Sequence, residues 1–287
     1  MASTDRQETP RPNVWLFSGQ SNMAMPVRDC LEADALLEAA ADSRTEFFVG
    51  GQWKRADPAS VAGWSAVSWA FGLEWQRLGG APPALACAAR GGTGIEAWLP
   101  VEAFPHTPLG HRMARLASDP DVLRASEEDA RDFMPYGEHR LARWGLGRAA
   151  PAQHFKALVA PLAERTLRGV VWYQGESNAD WPDWAGEYDL WLEALIAAWR
   201  IQWGDTTLPF IIIQLPQYDP GTPQKREGWE KVRLSQARVA HRLANVACVE
   251  IRDLGDVGDI HPRRKAEVGF RAARAAWKLA GKNTAAH

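Results

Sequence analysis

The sequence predicts an α/β protein in three layers, a central parallel sheet with helices on both faces. Two observations carry that prediction. Six short apolar runs are continuous rather than alternating, which is how strands buried on both faces read. Helical patterns lie between them, and strand–helix alternation favours parallel pairing through crossovers.

Taken in chain order, the strand-like runs cover residues 14–18, 45–49, 84–88, 169–173, 210–214 and 246–251. The first gap holds an Ala/Leu/Glu-rich helical stretch at 31–41, and the second a helix at 65–78 with Trp69, Leu73 and Gln76 at helical intervals. Residues 184–203 place Tyr188, Trp191, Leu192, Leu195, Ile196 and Trp199 on one face in steps of three and four. Helices at 229–243 and 266–279 follow the next two strands. The long gap before residue 169 contains a charged, weakly periodic stretch at 118–148. A lid-like insertion over about 100–155, packed near the site, is the expected reading. Residues 1–12 read as a disordered lead-in, 13–280 as one domain and 281–287 as a disordered tail.

Composition narrows the function classes. With 287 residues, 46% of them hydrophobic, the chain can bury a sizeable core. A net charge of −2 gives no electrostatic reason to expect nucleic acid or an anionic membrane as partner. The apolar runs fall short of the roughly 20 residues that span a bilayer. Three cysteines, Cys30, Cys87 and Cys248, fit neither a disulfide framework nor a metal spacing. No cofactor or metal is expected. The polar N-terminus does not read as a signal peptide, so the cytoplasm is the default compartment; a secreted protein written without its leader would look the same. Nothing in the chain indicates an oligomeric state.

Chemistry is expected beyond the C-terminal strand ends, where open α/β sheets bind ligands. Four polar, Gly-bearing segments fall there: Gly19-Gln20-Ser21-Asn22-Met23, Arg90-Gly91-Gly92-Thr93-Gly94, Gln174-Gly175-Glu176-Ser177-Asn178 and Asp253 to Pro262. Ser21 is the candidate nucleophile. A hydroxyl needs a base at neutral pH, and among seven histidines His261 has the fitting context, after a strand and beside acids. Asp259, with Asp256 second, is the candidate to orient the imidazole. The Ser21 N–H, the Gly91 N–H and the Gln174 side-chain amide are candidate oxyanion donors. Gln20, Asn22, Glu176 and Trp98 are expected to contact substrate. Each piece has a plainer reading, as helix cap, tight turn or buried backbone partner. Their shared location is what makes them a site.

The blocks Phe17 to Met23, Gly91 to Trp98, Val171 to Asn178 and Asp259-Ile260-His261-Pro262, with Lys265 and Gly269, resemble the sialate O-acetylesterase family of the SGNH hydrolase superfamily. The resemblance runs from about residue 13 to 279. It implies a flavodoxin-like α/β/α sandwich and a metal-independent serine esterase acting on O-acetylated carbohydrate. It places Ser21 as nucleophile, His261 as base and Gly91 as oxyanion donor, with Gln174 where many such enzymes carry Asn. The wider superfamily spaces its acid as Asp-x-x-His. Here that position is Gly258, so Asp259, Asp256 or a backbone carbonyl remain alternatives. Acetylated xylan or another glycan is favoured over sialate esters. The competing class is a carbohydrate-binding protein without catalysis, with Trp98, Trp172 and Trp181 as stacking platforms. An α/β-hydrolase elbow would need Gly at position 23, which is Met.

Overall fold

The computed structural model describes residues 14–284 except 42, 50 and 133–137. The expected lead-in lies outside the described residues. Seven strands form one sheet in the order β3-β2-β4-β1-β5-β6-β7. They are β1 (Val14–Gly19), β2 (Glu46–Val49), β3 (Gln52–Arg55), β4 (Ala84–Ala89), β5 (Leu167–Tyr173), β6 (Phe210–Ile213) and β7 (Val246–Val249). All neighbours are parallel except β2 and β3, which form an antiparallel hairpin at the edge. β3 was not expected. Its four residues are mostly exposed and include no apolar run, because only one neighbour and one face contact the protein.

Alternation along each strand explains the continuous apolar runs. Leu16, Ala86, Trp172 and Ile212 point into one core, while Phe17, Leu85, Val171 and Ile211 point into the other. The principal helices are α1 (Ser21–Ala24), α2 (Ala33–Glu38), α3 (Pro58–Val61), α4 (Ala66–Arg77), α5 (Pro108–Leu116), α6 (Pro120–Asp132), α7 (Glu176–Ala179), α8 (Pro182–Gln202), α9 (Pro223–Arg242) and α10 (Lys265–Thr284). Helices α8 and α9 and residues between β4 and β5, Trp98, Met113 and Val159 among them, cover the first face; α2, α4 and α10 cover the second. The three-layer α/β/α architecture is therefore as expected. Among the described residues no helix is long and apolar enough to cross a membrane.

Several boundaries differ for local reasons. α9 begins at Pro223, six residues early, because Thr222 caps it through the Lys225 N–H while its first turn is polar and carries no periodic signal. α10 continues to Thr284, into the segment expected to be a tail. Within the charged stretch, α6 is a true helix whose buried side includes Val122, Ala125 and Asp129. Asp129 accepts the Arg140 and Leu141 N–H groups, which docks the following turn.

The chain leaves β1 toward β2, β3 and β4 on one side and returns through β5, β6 and β7 on the other. Strand order thus reverses at β1. The crevice that this opens lies above β1, β4 and β5, the strands that carry three of the four polar segments.

Candidate active site

Each residue of the β1 turn has a separate structural task. Gly19 has φ +139°, and a Cβ there would lie 1.9 Å from the Tyr173 carbonyl oxygen, so only glycine lets the chain turn at this point. Met23 is fully buried, and its carbonyl accepts the Ser65 hydroxyl at 2.6 Å. That anchors α1 from below and leaves half-buried Ser21 facing a cleft of about 250 Å³. Gln20, Gly91, Arg148, Glu176 and His261 also line this cleft.

Ser21 Oγ and His261 Nε2 are 2.7 Å apart across 240 residues of sequence. Burial holds the His261 imidazole below its usual value of 6.5, with the Lys265 cation adding to this and Asp259 opposing it. The ring is therefore neutral at pH 7, with Nε2 able to accept the serine proton. The three thiols are free; burial pushes Cys87 and Cys248 up to about 12, which leaves them inert as nucleophiles at neutral pH.

Asp259 is exposed, and its Oδ1 accepts the His261 backbone N–H at 2.8 Å. Among the described residues no ion pair or hydrogen bond joins its carboxylate to the imidazole. Asp256 accepts the Gly258 N–H at 2.8 Å in the same manner. Gly91 packs directly on Ser21, since a Cβ there would stand 3.3 Å from Ser21 Cβ. The Ser21 and Gly91 N–H groups take no backbone acceptor among the described residues.

Gln174 differs from its expected role. Its side chain is fully buried, and its Nε2 faces Asn178 Oδ1 at 2.7 Å, Thr93 O at 3.1 Å and Gln20 Oε1 at 3.2 Å. Its Oε1 accepts the Tyr188 hydroxyl at 2.8 Å. Three acceptors already compete for two amide hydrogens, so Gln174 braces the loops and has no donor left for an oxyanion. It does fix Gln20, whose Oε1 also accepts the Ser177 N–H at 3.3 Å. Trp98 is a second correction: it is fully buried, with its indole N–H on Thr93 Oγ1 at 3.0 Å, and belongs to the core. Trp172 is fully buried as well, whereas Trp181 is 39% exposed.

Asn22 and Glu176 lie together behind the Ser21–His261 pair. Asn22 Nδ2 donates to Glu176 Oε1 at 2.6 Å and to Ile260 O at 2.9 Å. Burial pushes the Glu176 carboxyl up to about 7, against the pull of Asn22 and Lys265. Three contributors were missed in the sequence. Asn178 ties Gln174 to the Ile95 N–H at 2.9 Å, and its only signal was its place in the β5 block. Arg148 comes from the long connection between β4 and β5, where its N–H donates to Gly92 O at 2.8 Å; nothing in its irregular surroundings marked it. Lys265, in a run of three cations that reads as a solvated helix start, is instead fully buried.

A family model described as carbohydrate esterase, sialic acid-specific acetylesterase, matches residues 136–278. The sialate O-acetylesterase of Rattus norvegicus is 29% identical over 300 residues, covering 90% of this chain and 55% of its own. That of Homo sapiens is 28% identical, covering 93% and 53%. The structure of a carbohydrate acetylesterase from Xanthomonas citri superposes with a TM-score of 0.75 at 29% identity, over 94% of this chain and 56% of that one. The chain thus spans about half the length of these relatives. In its fold and over most of its length the chain is thus similar to carbohydrate acetylesterases, sialate O-acetylesterases among them.

Proposed function

We propose that the chain is a serine carboxylesterase that removes O-acetyl groups from carbohydrates. The observation that carries this reading is the 2.7 Å contact between Ser21 Oγ and a neutral His261 Nε2 at the floor of the cleft. Ser21 Oγ attacks the acetyl carbonyl while His261 takes its proton. The tetrahedral intermediate collapses as His261 returns that proton to the sugar oxygen, leaving an acetyl-Ser21 enzyme. Water, activated by the same imidazole, then releases acetate and restores Ser21.

The Ser21 and Gly91 N–H groups are the oxyanion donors, each worth roughly 3 kcal/mol in the transition state. Gln20 Nε2 is the side-chain donor in place of Gln174, because the Gln20 carbonyl oxygen is held inward by Gln174 and Ser177. Asp259 acts by shaping the His261 turn and by its charge. No step in this scheme uses a metal, and activity is expected to persist in EDTA.

The cleft lining includes Asp180, which pairs with Lys225 at 3.1 Å, the buried Glu176 and the guanidinium of Arg148. An uncharged acetylated sugar, such as acetylated xylan, is the proposed substrate in preference to an anionic sialate ester. The test is acetate release from acetylxylan, acetylated glucosides and O-acetylated sialic acid, with Ser21→Ala as control. Wild-type turnover lost in a folded Ser21→Ala variant supports the reading; unchanged turnover in that variant refutes the mechanism. Release from sialate esters alone would refute the substrate preference. A binding-only protein would release no acetate from any of the three.

A further inference from the structure

Lys265, the first residue of α10, is fully buried, and its ammonium lies beneath the active-site turn. Lys265 Nζ donates to the Pro262 carbonyl and, at 2.7 Å, to Asn22 Oδ1. Asn22 in turn donates to the Ile260 carbonyl and to Glu176. The two backbone carbonyls that bracket His261 are therefore both held by one buried network, and Asn22 is the neighbour of the nucleophile. Asn22 is 0% exposed and Glu176 2%.

Such a network is a poor device for stability alone. Burying a cation and a carboxyl costs desolvation that well-packed apolar side chains would not incur. Nor does Lys265 touch Ser21 Oγ or the His261 ring, so it does not serve as a base.

We propose that Lys265 is a positioning residue for this reaction: through the Pro262 carbonyl and Asn22 it sets the His261 imidazole against Ser21 Oγ, the task that a carboxylate on the imidazole performs in a full triad. This rests on the esterase reading above. The groups facing the ammonium are Glu176 from α7, Asp259 from the His261 turn, Cys30 and Glu32 from the segment before α2, and the Tyr173 ring from β5, whose centroid is 5.8 Å away. Glu176 is the leading opposite charge among them, with Asn22 bridging the pair.

The test compares whole-chain wild type with Lys265→Met, Lys265→Gln, Glu176→Gln and the Glu176→Gln/Lys265→Met double variant. Readouts are kcat, KM, the pH profile and Tm, together with the nitrogen-15 histidine spectrum. Lys265→Met is expected to lower kcat on the order of 100-fold with KM little changed, since a displaced base weakens the chemical step more than binding. The acid limb of its kcat/KM profile should move to higher pH, because a cation near His261 is gone. The double variant restores charge balance and is expected to recover Tm beyond Lys265→Met without recovering kcat. Lys265→Gln keeps one donor and should fall between Lys265→Met and wild type. Wild-type kcat and an unmoved acid limb in Lys265→Met would overturn the proposal. So would recovery of kcat in the double variant, which would reduce the role to charge balance. If wild type hydrolyses no ester, the functional reading fails, yet the His261 Nε2 signal still decides the positioning claim. That signal should shift in Lys265→Met, and an unchanged signal refutes it.

Discussion

Glu96 lies in the single turn that follows the Gly91–Gly94 segment, 1% exposed, with its Oε2 accepting Asn178 Nδ2 at 3.3 Å. Burial pushes its carboxyl from 4.5 up to about 7; the Asn178 amide and the Gly147 N–H pull the other way. A carboxyl raised in the folded state contributes stability that is fully present below about 4.5 and lost as pH rises through about 7. Moving it that far costs the ionised form about 3 kcal/mol at pH 8. Glu96→Gln removes the titration but gives up one acceptor, at about 1 kcal/mol. The variant should therefore be less stable than wild type by about 1 kcal/mol near pH 4.5 and more stable by about 2 kcal/mol at pH 8. The gain at pH 8 corresponds to a Tm rise of roughly 4–8 °C in a chain of this size. Calorimetry of both proteins at the two pH values gives the answer. A stability difference that does not change sign or size with pH would refute the reasoning, because the carboxyl would then ionise as freely in the folded chain as in the unfolded one. Glu176 tilts the wild-type curve in the same direction, but it is present in both proteins and drops out of the comparison.

Further outcomes follow from the cleft. Gly91→Ala brings a methyl to 3.3 Å from Ser21 Cβ, and a shift of a few tenths of an ångström in the nucleophile should cut kcat about tenfold at unchanged Tm. Gly92→Ala instead strains a residue with φ +74° and should cost about 1–2 kcal/mol in urea unfolding; the opposite pairing of effects would contradict the assignment of Gly91. The acid limb of wild-type kcat/KM should lie below the ordinary imidazole value of 6.5, because burial favours the neutral ring, and a limb above it would refute the electrostatics given for His261. Asp259→Asn keeps an acceptor for the His261 N–H but removes a charge that raises the imidazole, so its acid limb should move to lower pH with less than about a tenfold loss of kcat. Asp256→Asn should leave both nearly unchanged, and a larger loss there would make Asp256 the orienting acid.

The sheet was legible because its strands are buried on both faces, so that Leu16, Phe17, Val171 and Ile212 read as apolar runs with no need of tertiary knowledge. β3 was not, since an edge strand of exposed polar residues carries no burial signal. Ser21 and His261 were legible by the same logic: polar residues after buried strands must converge at the sheet's C-terminal edge. The task of Gln174 was not. Whether a side-chain amide faces the cleft or its neighbours depends on which acceptors surround it, and Asn178, Thr93 and Gln20 arrive from three separate segments. Trp98 illustrates the same limit. A tryptophan beside a glycine-rich loop reads alike whether it stacks on a sugar or fills the core, and only the packing of Trp172 and Trp199 around it decides.

The sequence leaves Asp259, Asp256 or a backbone carbonyl as the group that orients His261, and the local geometry explains why the spacing does not decide among them. An aspartate two residues ahead of a backbone N–H closes a tight side-chain turn onto that N–H. Asp256 does this with Gly258 and Asp259 with His261, both at 2.8 Å. Once the carboxylate is engaged with its own backbone it shapes the path of the turn, and its influence on the ring is reduced to charge. A residue one place earlier, as in Asp-x-x-His, would escape that closure and could reach the ring. Here that place is Gly258, which has no side chain to offer. On the positioning role proposed above, the orientation of the imidazole comes from what holds the chain on either side of it. Those restraints are the Ile260 and Pro262 carbonyls, fixed by Asn22 and Lys265 from beneath the turn. His261 is held through its backbone, and the residues that hold it lie next to Ser21 and at the head of α10, where a search for a triad acid would not look.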